Sequence, residues 1–245
     1  MIPALNTSSA RRLATVGLVA TLFAGCAVPT VTPSPSPIPA ATVAPTAPPY
    51  TLGPTMDAVA CPTVAPAAFT GTATVTMSTN FGKIVIKVDG SLGPNAAGAF
   101  VALAKCGYYN NVIFHRVVPS FVIQTGDGTY GREPNPDLGS KLGSGGPSWT
   151  IQDDPVKATY KRGTVAMARK SGVNSANSQF FIVMDDTAAT SLAGTGADNY
   201  AIFGNVTSGM DVADRIVNVP TGGDSTEGAM PLEPIVITDM TVVTP

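Results

Sequence analysis

Charge is scarce in this chain. Asp, Glu, Lys and Arg make up 12% of its 245 residues, 16 acids face 14 Lys+Arg, and neither sign is gathered into a run. A nucleic-acid surface needs a basic patch or stripe, so that class of partner is excluded. Histidine is nearly absent too: His115 stands alone beside three cysteines, Cys26, Cys61 and Cys106. One imidazole and three scattered thiols cannot supply a typical zinc site, and no metal or other cofactor is expected. The G-x-S-x-G elbow of a serine hydrolase is missing, and any Ser-His-Asp triad would have to draw on His115. Long apolar runs are lacking as well. Leu13 to Ala24 is too short for the roughly 20 residues that a membrane-spanning helix requires.

What the N-terminal quarter does contain is a set of export and tether signals. Arg11 and Arg12 form a positive region, Leu13 to Ala24 an apolar one, and Ala24-Gly25 a small-residue site, so residues 1–25 read as an export signal. Phe23-Ala24-Gly25-Cys26 resembles the lipobox of bacterial lipoproteins, with Phe23 where that family usually has Leu. The resemblance implies an acylated Cys26 as the new N-terminus, membrane attachment through that lipid, and a place in the cell envelope facing outside the cytoplasm. Without residues 1–25 the balance is 12 Lys+Arg against 16 Asp+Glu, mildly acidic.

Residues 26–66 form a Pro/Thr/Ala-rich tether. Half of the 22 prolines fall there, and proline fixes φ, removes a donor and extends its predecessor. In a polyproline-II form such a tether would reach about 120 Å at most. An oxidising exterior permits the two remaining cysteines, Cys61 and Cys106, to pair, which would pin the start of a folded domain at 67–245 to the end of its first helix.

From Thr72 the pattern takes a period of two. Ala73, Val75 and Met77 alternate with threonines, Ser78 to Phe81 turn, and Ile84, Ile86 and Val88 alternate again, which predicts a hairpin with one buried face. Gly93-Pro94 opens a helix that Gly107 ends. Short strands follow at 164–168, 179–184 and 200–206. Ser208 with Asp211 caps a second helix through about Val217, and Ile235 to Val243 closes the sheet. About eight strands, mostly antiparallel, with two helices favour a closed β-barrel over alternating β and α units.

Two stretches bear on function. Gly126-Asp127-Gly128-Thr129-Tyr130-Gly131 matches the dinucleotide fingerprint, but Pro134 and Pro136 follow where a helix would have to start, so a loop is the better reading. That loop, Gly126 to Ser148, is longer than a connection needs. Just before it, Phe114 to Gln124 interleaves an arginine, aromatics and a glutamine with β-branched residues. Alternation puts Arg116 opposite His115 and places Val122 with Gln124, away from Ile123. One face is then an apolar floor with a guanidinium at its edge, suited to a small apolar group on a peptide backbone. His115 points inward as a satisfied core histidine.

Phe114-His115-Arg116-Val117-Val118-Pro119-Ser120-Phe121-Val122-Ile123-Gln124, Met167-Ala168-Arg169, Asn174 to Ile182 and Tyr200-Ala201-Ile202-Phe203-Gly204 together resemble the cyclophilin signature, in residue and in order. The resemblance spans about Ala68 to Val243. It implies a mainly β fold, a closed eight-stranded antiparallel cyclophilin-like barrel capped by two α-helices, and peptidyl-prolyl cis-trans isomerase activity on proline-containing polypeptides by a monomer. By motif position Arg116, Phe121 and Gln124 are catalytic. Phe121, Val122, Phe181 and Leu192 line the proline pocket, Gln124 binds substrate backbone, Ala168 and Arg169 offer main chain to the residue before proline, and Gln179 supports that wall. A non-catalytic module that grips proline segments is the alternative.

The residues agree with that chemistry. Twisting an X-Pro amide breaks no bond, and the proline nitrogen gains an available lone pair only as resonance is lost, so a well-placed donor strengthens at the top of the barrier. Several positions depart from the family. Ser120 and Asn177 stand where many members have glycine, and Thr125 replaces a further glycine beside the pocket. Tyr200 stands where eukaryotic members have histidine, and the only tryptophan, Trp149, lies in the loop rather than at the pocket rim. Weak cyclosporin binding is therefore expected.

Overall fold

The computed structural model describes residues 46–57, 60–134, 136–170, 172–193, 199–222 and 230–245. The export signal, the lipobox with Cys26 and the first part of the tether lie outside the described residues. Among those described, no helix is long and apolar enough to cross a membrane.

The hairpin predicted from period-two alternation is β1 (Thr72–Thr79) with β2 (Gly82–Asp89), paired in register from Thr72↔Asp89 to Thr79↔Gly82. Ala73, Val75, Met77, Ile84, Ile86 and Val88 form its buried face. Helix α1 (Pro94–Lys105) starts with proline in its first turn. No local side chain caps it; the carboxylate of Asp154, far along the chain, accepts from Asn95 N at 3.2 Å and Ala96 N at 2.9 Å. Its end is sealed by Tyr108 N donating to Leu103 O and Gly107 N to Ala104 O, with Gly107 at φ +72. That is the left-handed glycine termination.

The remaining elements are β3 (Val112–Ile113), β4 (Arg116–Val118), β5 (Val122–Thr125), β6 (Thr164–Arg169), β7 (Ala176–Val183), α2 (Ala188–Leu192), β8 (Ile202–Ser208), α3 (Met210–Val217), β9 (Thr221–Gly222), β10 (Met230–Pro231) and β11 (Val236–Val243). All strand pairs are antiparallel. Nine strands form one curled sheet in the order β3-β11-β1-β2-β8-β6-β7-β5-β4, and β9 with β10 makes a separate ribbon.

The sheet is thus an open nine-stranded one rather than a closed barrel of eight, and there is a third, single-turn helix, α2. The extra strand and the open ladder have one cause. The two end strands, β3 and β4, are consecutive in the chain and separated only by Phe114 and His115. Phe114 N donates to Ile235 O on one side, His115 N to Gln124 O on the other. A single strand changes partners there, both residues are buried, and alternation is interrupted.

Two further expectations are corrected. Ser208 ends β8 and does not cap α3; Gly209 at φ +92 precedes that helix, and a Cβ on it would stand 2.2 Å from Lys83 O. Close backbone approach, not a side-chain cap, sets this helix start. Residues 46–57 and 60–66, read as tether, lie along the domain. Ala47 N donates to Glu233, Gly53 N to the Asn111 side chain, and Asp57 N to Cys106 O. Cys61 and Cys106 are joined by a disulfide, with Cα atoms 5.1 Å apart. Trp149, in the loop as the sequence places it, is buried and donates its indole N–H to Pro62 O at 3.0 Å.

The main core fills the inside of the curl. Phe100 of α1 packs against Tyr109, Phe180 and Phe203 at centroid distances of 4.8 to 5.6 Å. A second, smaller apolar cluster, with Val122, Ala166, Ala168, Phe181, Val183, Leu192 and Ile202, covers the other face of β5, β7, β6 and β8.

Candidate active site

The site is assembled by sheet register. Arg116 pairs with Gln124, Gln124 with Phe181, Phe181 with Ala166, and Ala166 with Ile202. Residues directly opposite in an antiparallel ladder share a face, so four successive strand pairs lay one row from a guanidinium through an amide to a ring and an aliphatic floor. The turn joining β4 to β5 adds Phe121. Ser120 holds φ +58 there, so a serine occupies the left-handed conformation that glycine usually takes, while Phe121 N bonds Val118 O.

A cleft of about 230 Å³ opens over this row, lined by Arg116, Phe121, Val122, Gln124, Ala168, Arg169, Phe181, Leu192 and Tyr200. The guanidinium carbon of Arg116 lies 5.7 Å from the Phe121 ring centroid. Its Nη1 donates to Gln124 Oε1 at 3.4 Å. Val122, Phe181 and Leu192 are buried beneath. The floor is apolar, the lip carries cationic nitrogen, and among the described residues no carboxylate lines the cleft. Such a surface suits a small apolar group, with N–H donors at its edge.

Next to it lies a smaller cleft of about 150 Å³, lined by Gln124, Gly143, Ala168, Arg169, Lys170, Ser175, Asn177 and Gln179. The two share Gln124, Ala168 and Arg169, so a peptide crossing from one to the other would run over Ala168. The β6–β7 register shifts between Met167 and Arg169, which takes Ala168 out of the ladder. A bulge leaves main-chain groups unpaired within a sheet, and here it does so at the wall between the clefts. The Arg169 side chain is turned aside: its Nη1 donates to Gly172 O at 2.7 Å, and its guanidinium carbon lies 5.7 Å over the Tyr200 ring.

The large cleft therefore gathers Arg116, Phe121, Val122, Gln124, Ala168, Arg169, Phe181 and Leu192. Gln179 lies in the adjoining one. Tyr200, noted in the sequence only as a replacement for histidine, is a wall of the cleft, edge-on to Phe181 at 5.3 Å. Asn177, where many members have glycine, sits in β7, and its Oδ1 accepts from Ser178 N; the positive φ, +56, falls at Asn174. Thr125 faces the core, not the cleft, with no exposure and its hydroxyl donating to Ile113 O at 2.8 Å.

His115 points inward as alternation predicts, but it is not satisfied: neither ring nitrogen has a hydrogen-bond partner. Burial is the main cause that lowers its pKa from 6.5 to about 4; the Asp127 carboxylate opposes the shift and the Arg116 charge adds to it. The nearby Gln179 side-chain oxygen favours the charged ring, yet it already accepts from Gln124 Nε2 at 3.1 Å. Among the described residues no three His, Cys, Asp or Glu side chains converge as a metal site would require.

The sequence profile of the family described as "Cyclophilin type peptidyl-prolyl cis-trans isomerase/CLD" matches residues 74–242. The chain belongs to the cyclophilin family. This cyclophilin is 39% identical over 163 residues to a peptidyl-prolyl cis-trans isomerase of Acinetobacter baylyi, covering 66% of the chain and 81% of that protein. It is 36% identical over 170 residues to peptidyl-prolyl cis-trans isomerase B of Escherichia coli, covering 69% of the chain and 98% of the relative. A crystal structure of a cyclophilin-type peptidyl-prolyl cis-trans isomerase from Cryptosporidium parvum superposes with a TM-score of 0.57 at 27% identity, over 71% of this chain and 99% of that one. A second structure of it, in the presence of the dipeptide Ala-Pro, gives a TM-score of 0.56 at 28% identity, over 70% and 99%. The cyclophilin is accordingly a peptidyl-prolyl cis-trans isomerase.

Proposed function

We propose that this cyclophilin accelerates X-Pro isomerisation in polypeptides folding outside the cytoplasm, with Arg116 stabilising the twisted amide. The observation that carries the proposal is the Arg116 guanidinium, 5.7 Å from the Phe121 ring at the edge of the apolar cleft. The proline ring occupies the floor of Phe121, Val122, Phe181 and Leu192. Gln124 and the main chain at Ala168 and Arg169 hold the residues before it. As the amide twists, the proline nitrogen becomes pyramidal and accepts from Arg116, an interaction absent from the planar ground state and so fully expressed in the rate. A million-fold acceleration requires about 8 kcal/mol, divided between this contact and orientation of the peptide. The relative crystallised in the presence of Ala-Pro supports proline-containing polypeptides as substrates.

Residues 1–25 direct export, Cys26 carries the lipid, and residues 27–45 tether the domain. With 46–57 and 60–66 laid along the domain, residues 27–45 in a polyproline-II form would reach about 60 Å at most, half of the reach for the full segment. The bonded Cys61 and Cys106 support an oxidising compartment. The domain acts as a monomer.

A protease-coupled proline-peptide assay tests the central claim. Arg116→Ala should lower kcat/KM by about 10²–10³-fold with unchanged thermal stability; an Arg116→Ala variant as active as wild type would remove Arg116 from the mechanism. Mass spectrometry of the native N-terminus tests the anchor, since an unmodified or uncleaved Cys26 is incompatible with it.

A further inference from the structure

Asp127 is fully buried beside the site, has no place in the mechanism above, and draws both ends of the Gly-rich loop onto one carboxylate. Its Oδ1 accepts from Thr129 N at 3.1 Å and Tyr130 N at 2.9 Å, where the loop begins. Its Oδ2 accepts from Gly143 N at 2.7 Å and Gly145 N at 3.0 Å, close to where the loop ends. Four backbone donors around a buried carboxylate leave it well satisfied as an anion. The loop is packed flat against this group, since a Cβ at Gly145 would stand 2.1 Å from Asp127 Oδ1.

The same two glycine residues meet Gln179 through their carbonyls. Its Nε2 carries two hydrogens, and both are used on Gly143 O and Gly145 O. That fixes which way the amide faces. Gln179 Oε1 must point to Gln124, from whose Nε2 it accepts at 3.1 Å. Gln124 then has its Oε1 left for Arg116 Nη1. An amide is a donor at one end and an acceptor at the other, so each orientation in this series dictates the next.

We propose that Asp127 is a positioning residue for the isomerase: by holding the Gly143 and Gly145 peptides it sets the hydrogen-bond direction of Gln179 and Gln124 and so presents an acceptor, rather than a donor, to Arg116. Released from Asp127, the loop carbonyls leave Gln179, and the Gln179 amide is free to turn over. Gln124 can follow, bringing its NH₂ against the guanidinium and displacing it from the lip of the cleft. With a short substrate the consequence falls on turnover more than on binding, because the apolar floor and the main chain at Ala168 and Arg169 are untouched and only the Gln124 contact to substrate changes. The proposal rests on Arg116 being the catalytic donor, and its test separates the two ideas.

Asp127→Asn keeps the shape of the side chain but replaces one of its accepting oxygens with a donor. With a short Ala-Pro substrate it should lower kcat about tenfold while KM changes less than about twofold. In a Gln179→Ala background Asp127→Asn should cost nothing more, because the link through which it acts is already cut. Factors that multiply across the two sites would overturn the relay. The Arg116 Nε resonance should move in Asp127→Asn and stay put on adding the substitution to Gln179→Ala; an unmoved resonance in the single variant would also overturn it. That spectrum is independent of turnover, so a resonance that moves while Arg116→Ala remains active would sink the catalytic role of Arg116 and leave the relay standing. If Asp127→Asn does not fold, Gly145→Ala, which displaces the loop and leaves the carboxylate intact, is measured in its place with the same expected and overturning results.

Discussion

Phe180 and Phe181 are neighbours on β7, yet they belong to different halves of the molecule. Phe180 faces the inside of the curl, edge-on to Phe100 at 5.0 Å and to Tyr109 at 5.4 Å, with Thr125 and Met167 as its ladder partners. Phe181 faces outward, with Gln124 and Ala166 as partners and Tyr200 edge-on beside it in the cleft. The division continues across the sheet: His115, Ile123 and Thr125 point in, Arg116, Val122 and Gln124 point out. The inner face makes the fold, and the outer face makes the site. What separates them is one step of the two-residue strand period.

The comparison is broken most severely from the inside. Phe180→Ala empties a fully buried site packed against the rings of Phe100 and Tyr109 and should destabilise the domain by about 3–5 kcal/mol, read from the urea midpoint. A loss below about 1 kcal/mol would mean that the inner face is not the main support of the fold.

His115 comes next, because it places a titratable ring on that inner face. With a folded pKa of about 4 against 6.5 when free, the unfolded chain takes up the proton first as pH falls. Stability is therefore full above about pH 6.5 and declines as pH drops towards about 4, by about 3 kcal/mol in all. Asp127 and Arg116, the charged groups acting on the ring, oppose each other there. Unfolding measured across this window should show the decline in wild type and a much flatter profile in His115→Phe. Equal slopes would place the acid sensitivity elsewhere.

Phe181→Leu sharpens the contrast from outside. It should lower kcat/KM about tenfold while costing less than about 1.5 kcal/mol in stability, the reverse of what the inner substitution does. Unchanged turnover would show that the outer cluster is merely a second core. The smallest effect is expected at the turn between the two strands that carry the site. Ser120→Gly relieves a left-handed serine, φ +58, and should raise stability by about 0.5 kcal/mol after the entropy of glycine in the unfolded chain is counted. Turnover should not change.

Much of this could be read from the chain. Arg116, Phe121, Val122, Gln124, Ala168, Phe181 and Leu192, picked out by residue type and order, are brought to one cleft, and period-two alternation gives the hairpin of β1 and β2 correctly. What escaped depends on contacts far apart in sequence. Asp154 caps a helix about sixty residues earlier. Asp127 gathers a loop in a stretch that looked like a failed nucleotide fingerprint. Residues 46–57 and 60–66 have the composition of a free tether, but Asn111, Cys106 and Glu233 take up backbone N–H groups of Gly53, Asp57 and Ala47. The split between β3 and β4 at Phe114 and His115 has no local signature, since it is a change of partner rather than a turn. The start of α3 was misplaced because a serine before an aspartate looks like a cap, whereas the deciding fact is the crowding of Gly209 against Lys83.

Every residue of β7 from Ala176 to Val183 is buried. A strand without a watered side gives random mutation nowhere to hide. In a saturation library scored for both abundance and turnover, these eight consecutive positions should yield almost no silent changes, with the odd and even members failing in different assays.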